Sequence, residues 1–172
     1  IVSIILAAGK GKRMNSLLPK PLHKVAGKTL LNWLEDSLKS ASILKRIFVL
    51  GHQNEILKEH IKDSEIVIQE PQLGTGHAVK LAKEKVKDLN SLIIIVYADT
   101  PFISANTIKK MVSQIKSGFK ISILGFETDE PSGYGRIITD GNNQVSKIVE
   151  ENDANKEVKK ITLCNSGVLA GK

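Results

Sequence analysis

Short runs rich in isoleucine and valine alternate along this chain with segments whose apolar residues recur every three or four positions. Val2 to Leu6, Ile47 to Leu50, Ile66 to Ile68, Leu92 to Val96 and Ile121 to Leu124 are the short runs. Apolar stretches of this length read as strands buried on both faces. Between them, Leu31, Leu34, Leu38 and Ala41 fall on one helical face, as do Ile108, Met111, Val112 and Ile115. Leu57 with Ile61, and Val79 with Ala82 and Val86, make two weaker stripes. Ser104 stands where an N-cap is needed. Strand–helix alternation predicts a three-layer α/β fold around a mainly parallel sheet, with right-handed crossovers. After Glu127 the pattern changes. Pro131-Ser132-Gly133-Tyr134-Gly135 is turn-rich, and β-like pieces follow at Arg136 to Ile138, Val145 to Val149 and Ile161 to Leu163. These predict a mixed or antiparallel extension.

Ligands of open α/β sheets sit at the carboxyl ends of the strands. The unusual polar motifs all follow strand ends. Gly9-Lys10-Gly11-Lys12-Arg13 follows the first run. From Ala8 to Lys28 the chain carries Lys10, Lys12, Arg13, Lys20, Lys24 and Lys28 with no Asp or Glu. Small residues open the backbone N–H groups to a ligand, and the cations suit a polyanion. This is neither a Walker A loop nor a dinucleotide fingerprint, because the Gly-Lys-Ser/Thr and the third glycine are missing. It reads as a triphosphate site.

Gln72-Leu73-Gly74-Thr75-Gly76-His77-Ala78 follows the third run. It is either a glycine-assisted helix entry with Thr75 as cap, or a set of amides facing a base, since Gln69 and Gln72 can both donate and accept. Tyr97-Ala98-Asp99 follows the fourth run. Asp99 is a turn or cap residue, or, beside a triphosphate, a candidate Mg²⁺ ligand; Mg²⁺ takes one or two carboxylates plus substrate oxygens and waters. Glu150-Glu151 and Asp153 read as a solvated turn.

Composition narrows the classes. The chain has 172 residues, 41% hydrophobic and 25% charged, which suits one globular domain with a real core. No apolar run reaches the length of a membrane span. The net charge of +7 concentrates in the acid-free loop, and aromatic residues are few, so it reads as a local anion site rather than a nucleic-acid face. Cys164 is the only cysteine, and the four histidines lack metal-ligand spacing. A reducing cytoplasm fits this cysteine usage. The chain opens on Ile and ends at Ala170-Gly171-Lys172, just after a strand-like run, which reads as an interrupted fold.

Taken in order, these motifs resemble a known family. Leu6-Ala7-Ala8-Gly9-Lys10-Gly11-Lys12-Arg13-Met14, Leu18-Pro19-Lys20-Pro21-Leu22-His23 and Gly27-Lys28 resemble the opening of sugar-nucleotide pyrophosphorylases. Gln69, the Gln72 to Ala78 motif, Gly133-Tyr134-Gly135-Arg136-Ile137, Ile148-Val149-Glu150 and Asn165-Ser166-Gly167 narrow the likeness. Together they resemble the uridylyltransferase domain of bacterial bifunctional N-acetylglucosamine-1-phosphate uridyltransferase/glucosamine-1-phosphate acetyltransferases, over essentially the whole chain.

The resemblance implies a Rossmann-like nucleotidyltransferase fold, truncated at its C-terminus. It implies Mg²⁺-dependent uridylyl transfer from UTP to N-acetylglucosamine 1-phosphate, feeding peptidoglycan and lipopolysaccharide precursors. Leu6, Ala7, Ala8 and Gly9 would contact the nucleotide. Arg13 and Lys20 would neutralise the triphosphate, Gln69 and Gln72 would meet uracil, and Gly74 and Thr75 would lie beside the nucleoside. Asp99 would hold Mg²⁺. Gly135, Glu150 and Asn165 would hold the sugar, with Tyr97 close to it. Arg13, Lys20 and Asp99 are the catalytic candidates.

The chain departs from the family pattern at Lys12, where a small hydroxyl residue is common, and at Ala98, where glycine is usual. The family continues into further sheet, a second metal ligand and a left-handed β-helix that carries acetyl transfer and trimerisation. Three other readings are compatible with the sequence: transfer of another nucleotide or to another sugar phosphate, a nucleotide-binding fragment without turnover, and a small nucleic-acid binder.

Overall fold

Strand β1 (Val2–Ala7) is buried along its whole length. Its one polar residue, Ser3, is satisfied by donating its hydroxyl to the Lys45 carbonyl at 3.3 Å. A strand covered on both faces has no solvent side to mark with polar residues, which explains the unbroken apolar run. The computed structural model describes residues 1–9, 14–51, 55–88, 90–142 and 144–172. They form two units, one of residues 1–122 with 169–172 and one of residues 123–168.

In the first unit, β1 lies between β4 (Lys45–Gly51) and β6 (Ile93–Tyr97), parallel to both. β5 (Glu65–Gln69) runs parallel to β4 on its far side, giving the order β5-β4-β1-β6. Leu169 to Gly171, the last residues of β10 (Leu163–Gly171), run antiparallel to β6. The sheet is therefore mixed and mostly parallel.

Alternation along the strands assigns their faces. Val2, Ile4, Leu6, Ile47 and Val49 pack on Ala78 and Ala82 of helix α3 (Thr75–Ala82). The residues of opposite parity, Ile5, Phe48, Leu50, Ile94 and Val96, are also fully buried. Helices α1 (Leu30–Ser40) and α4 (Ala105–Lys116) pack on each other. They bury Leu31, Leu34 and Leu38 from one, and Ile108, Met111, Val112 and Ile115 from the other. Ser104 caps α4 by accepting from the Thr107 N–H at 3.0 Å, and Thr29 caps α1 in the same way through Asn32. Among the described residues no helix is long and apolar enough to cross a membrane.

The weaker stripes end earlier than the pattern predicts. α2 (Glu55–His60) stops before Ile61, and α3 stops at Ala82 before a single tighter turn. Val86 lies beyond that turn but still packs on the β1 cluster. The N-cap of α3 is Gly74, not Thr75: the backbone there has φ +96°, which a β-branched residue resists. A small hairpin that no apolar periodicity marks joins β2 (Lys24–Val25) to β3 (Lys28–Thr29). Its two-residue turn uses Ala26 and Gly27 at positive φ.

In the second unit, β8 (Arg136–Thr139) and β9 (Val145–Val149) form an antiparallel hairpin with Arg136 opposite Val149. β10 pairs with β8 through Cys164 opposite Arg136, and also with β7 (Ile121–Glu127). The antiparallel extension is as predicted. Its last strand, however, begins at Leu163 rather than ending there, and runs through Asn165, Ser166 and Gly167. Pairing with β7 and β8, not apolar pattern, defines it.

Candidate active site

The end of β1 is the first piece of the site. The Leu6 side chain is buried in the α3-facing core, and its carbonyl accepts from the Ala98 N–H at 3.0 Å. Ala7 closes the strand, and Ala8 and Gly9 follow it outside regular structure. Among the described residues, a Cβ built on Gly9 would meet nothing within 4 Å, which leaves this backbone open to a ligand on their side. Lys10, Lys12 and Arg13 lie outside the described residues.

The loop after β5 is tied to the strand it leaves. Gln69 ends β5 and is only 3% exposed. Its Nε2 donates to the Gly74 carbonyl at 2.8 Å and lies 3.2 Å from His77 Nδ1. Gln69 thus fixes Gly74 at the entry of α3, directly before Thr75. Gln72 is exposed, and its side-chain amide lies against the α-carbon of Gly51 at the end of β4. A Cβ on Gly51 would collide with Gln72 Nε2 and stand 3.1 Å from the Ala8 carbonyl. Gly51 is therefore part of the arrangement that brings Ala8 and Gln72 together. A strand-terminal glycine gives no sign of this in sequence, because the requirement is for space beside a residue from another loop.

Asp99 follows β6 in a turn held by Thr100, whose N–H and hydroxyl both donate to the Tyr97 carbonyl. Tyr97 itself packs on the α3-facing cluster. Ala98 is 1% exposed, so its methyl, where the family pattern has glycine, is accommodated inside the protein. The Asp99 carboxylate meets the Lys20 ammonium at 2.7 Å. Lys20 opens a short turn whose Pro21 and Leu22 are buried, so the apolar pair anchors the segment that presents the cation. Both charged groups keep solvent access.

In the second unit, Gly135, Glu150 and Asn165 come together. The Asn165 N–H donates to the Gly135 carbonyl at 2.8 Å, and its Oδ1 accepts from the Gly167 N–H at 2.9 Å. The Glu150 carboxylate lies over the Gly135 α-carbon: a Cβ there would stand 3.1 Å from both oxygens. Glu151 is not the solvated turn residue that its sequence context suggests. It accepts from the buried Arg136 guanidinium at 2.7 Å and from the Gly133 N–H at 3.2 Å.

Among the described residues no group of three or more His, Cys, Asp or Glu is placed to hold a metal. A lone, partly exposed carboxylate at a strand end does fit a magnesium ion that arrives with a nucleotide, because phosphates and waters fill most of its coordination shell.

Fold and site together define an α/β protein of the nucleotidyltransferase class, with small residues after the first strand and a lysine–aspartate pair at the carboxyl ends of the strands. The chain belongs to the MobA-like NTP transferase domain family, whose model matches residues 3–144. It is 44% identical over 170 residues to the Bifunctional protein GlmU of Caldanaerobacter subterraneus, covering 98% of this chain and 37% of that protein. The chain therefore spans about 37% of the length of such curated relatives, in their N-terminal part. Among solved structures, HddC from Yersinia pseudotuberculosis matches at TM-score 0.76 and 26% identity, over 99% of this chain and 76% of that one. A UDP-glucose pyrophosphorylase complexed with UDP-glucose shares the fold at TM-score 0.81 and 18% identity, over 99% of this chain and 75% of that one. Nucleotidyltransferases of this kind generally work with a divalent metal.

Proposed function

We propose that this chain transfers a uridylyl group from UTP to N-acetylglucosamine 1-phosphate, releasing pyrophosphate and forming UDP-N-acetylglucosamine. The observation that carries this reading is the Lys20–Asp99 pair beside the end of β6, in a chain that is 44% identical over 170 residues to the GlmU protein of Caldanaerobacter subterraneus. The family resemblance supports the choice of base and sugar.

Both reactants are polyanions. The acceptor's phosphate oxygen is already anionic and needs no side-chain base. It attacks the α-phosphorus in line, the bond to the bridging α–β oxygen breaks, and pyrophosphate leaves. Catalysis then consists of positioning and of countering charge. Bound magnesium supplies charge neutralisation of the triphosphate and of the leaving group, and Asp99 is the residue that would hold it. Lys20 would exchange its contact with Asp99 for phosphate oxygens. Arg13 joins it on the strength of the sequence motif.

Leu6 to Gly9 would supply the backbone against the nucleotide. Gln72 would read the pyrimidine edge, while Gln69 holds Gly74 and Thr75 beside the nucleoside. Gly135, Glu150 and Asn165 would serve the sugar. The product would feed cell-wall precursors in the cytoplasm.

The test is a matrix of UTP, CTP, GTP, ATP and dTTP against N-acetylglucosamine 1-phosphate and glucose 1-phosphate, with products read by mass spectrometry. UDP-N-acetylglucosamine as the dominant product supports the reading. Dominance of another nucleotide sugar assigns a different specificity. Nucleotide binding without any product would make this a binding module.

A further inference from the structure

We propose that Glu151, gripped by the buried guanidinium of Arg136, is a positioning residue that sets the Gly133-Tyr134-Gly135 loop for the sugar-phosphate acceptor. This rests on reading Gly135, Glu150 and Asn165 as acceptor-binding residues. Arg136 opens β8, and its side chain is 2% exposed. A guanidinium taken out of water must find partners, so those it has reveal its task. Its Nη1 donates to Glu151 Oε2 and to the Tyr134 carbonyl. The same Oε2 accepts from the Gly133 N–H. Lys159 stands 3.4 Å from the other carboxylate oxygen.

One ion pair thus holds two consecutive loop residues, one by its N–H and the next by its carbonyl. The Tyr134 ring adds a third hold, edge-on to Phe126 with centroids 5.0 Å apart. Gly133 sits at φ +84°, where a side chain would be strained. The next residue after this clamped pair is Gly135. Its carbonyl and α-carbon meet Asn165 and Glu150.

Adjacent carboxylates therefore divide two tasks. Glu150 faces the candidate sugar subsite, and Glu151 faces inward to the clamp that locates it. Strand pairing of β8 with β9 and β10 holds Arg136 without Glu151's help. Losing the Glu151 carboxylate should therefore loosen the loop more than the strands.

The experiment measures pyrophosphate release by the wild type, Glu151→Ala and Glu151→Gln, varying UTP and N-acetylglucosamine 1-phosphate separately, with thermal melting alongside. Loss of charge-assisted hydrogen bonds to the loop should raise the acceptor KM about tenfold in Glu151→Ala and leave the UTP KM within roughly twofold. Glu151→Gln keeps an acceptor oxygen and should recover most of that loss. A merely structural role lowers the folded fraction, and so the maximal rate, without separating the two KM values. An unmoved acceptor KM, or equal movement of both, overturns the proposal. If Glu151→Ala does not fold, Glu151→Asp carries the test, with a raised acceptor KM supporting the clamp and an unchanged one rejecting it. A wild type that turns over no sugar phosphate removes the acceptor reading and the clamp together. Wild-type turnover with an unmoved variant KM strikes the clamp alone.

Discussion

The Lys20 ammonium stands 2.7 Å from the Asp99 carboxylate. Two apolar residues and one backbone bond place them there. Pro21 and Leu22 bury the turn that carries Lys20, and the Ala98 N–H ties the start of the Asp99 turn to the Leu6 carbonyl. The pair is partly open to water, so it adds little to stability, and its groups are available for exchange with a ligand.

Asp99→Asn keeps the side chain's shape and removes its charge. Metal-dependent pyrophosphate release should fall about a hundredfold or more, the scale of losing one preorganised electrostatic contact. Denaturant unfolding should move by no more than about 1 kcal/mol, because the ion pair is partly exposed. A variant that keeps its rate removes Asp99 from the site.

Gly51→Ala tests the contact between β4 and Gln72. The new methyl displaces the flexible end of Gln72 and presses on the Ala8 carbonyl. UTP affinity should fall several-fold while the melting temperature changes little, since the displaced atoms belong to an exposed side chain. Titration calorimetry beside thermal melting reads both. Unchanged UTP affinity would mean that Gln72 has no part in the nucleotide site.

Gln69→Ala should act on both stability and binding. The Gly74 carbonyl loses its side-chain donor and keeps the Ala78 N–H, at a cost of about 0.5–1.5 kcal/mol. Entry into α3 loosens, and nucleotide affinity should drop with it. Urea denaturation and UTP titration on one sample check this. Normal affinity in a destabilised protein would confine Gln69 to a folding role.

Glu151 gives the fold an acid-sensitive contact. The Arg136 hydrogen bond, then the Gly133 N–H, hold its carboxyl below the ordinary carboxylate range, with Lys159 adding to them against the opposing effect of burial. A depressed folded-state value means that the unfolded chain takes up the proton first as pH falls. The contribution is complete above the unfolded value and is lost as pH drops through the folded one. The melting-temperature gap between wild type and Glu151→Gln should therefore shrink in acid. A gap that stays constant would contradict this assignment.

The parallel sheet was legible in sequence because strands buried on both faces leave continuous apolar runs, as in Val2 to Leu6. α4 was legible through its three-and-four spacing and the Ser104 cap. The Lys24–Thr29 hairpin was not, since two-residue strands carry no periodicity and Ala26 is an uncommon residue for its turn. The start of β10 was hidden by Asn165, Ser166 and Gly167, which join a strand only because β7 and β8 receive them. In the site, Lys20 and Asp99 stood out as charge beside strand ends. Gly51 and the Arg136–Glu151 pair did not, because each depends on a neighbour supplied by tertiary structure. Glu151 in particular sits among acids that look solvated until β8 and β9 pair and carry it to Arg136.

The central claim is that a nucleoside triphosphate binds at the carboxyl ends of β1, β5 and β6. Titrating UTP with magnesium into the isotopically labelled chain and following its backbone amide resonances tests it most directly. The account predicts the largest shifts at Ala8, Gly9, Gln72, Gly74, Thr75 and Asp99. Shifts confined to other surfaces, such as β9 or the lysines around Lys159, would contradict it.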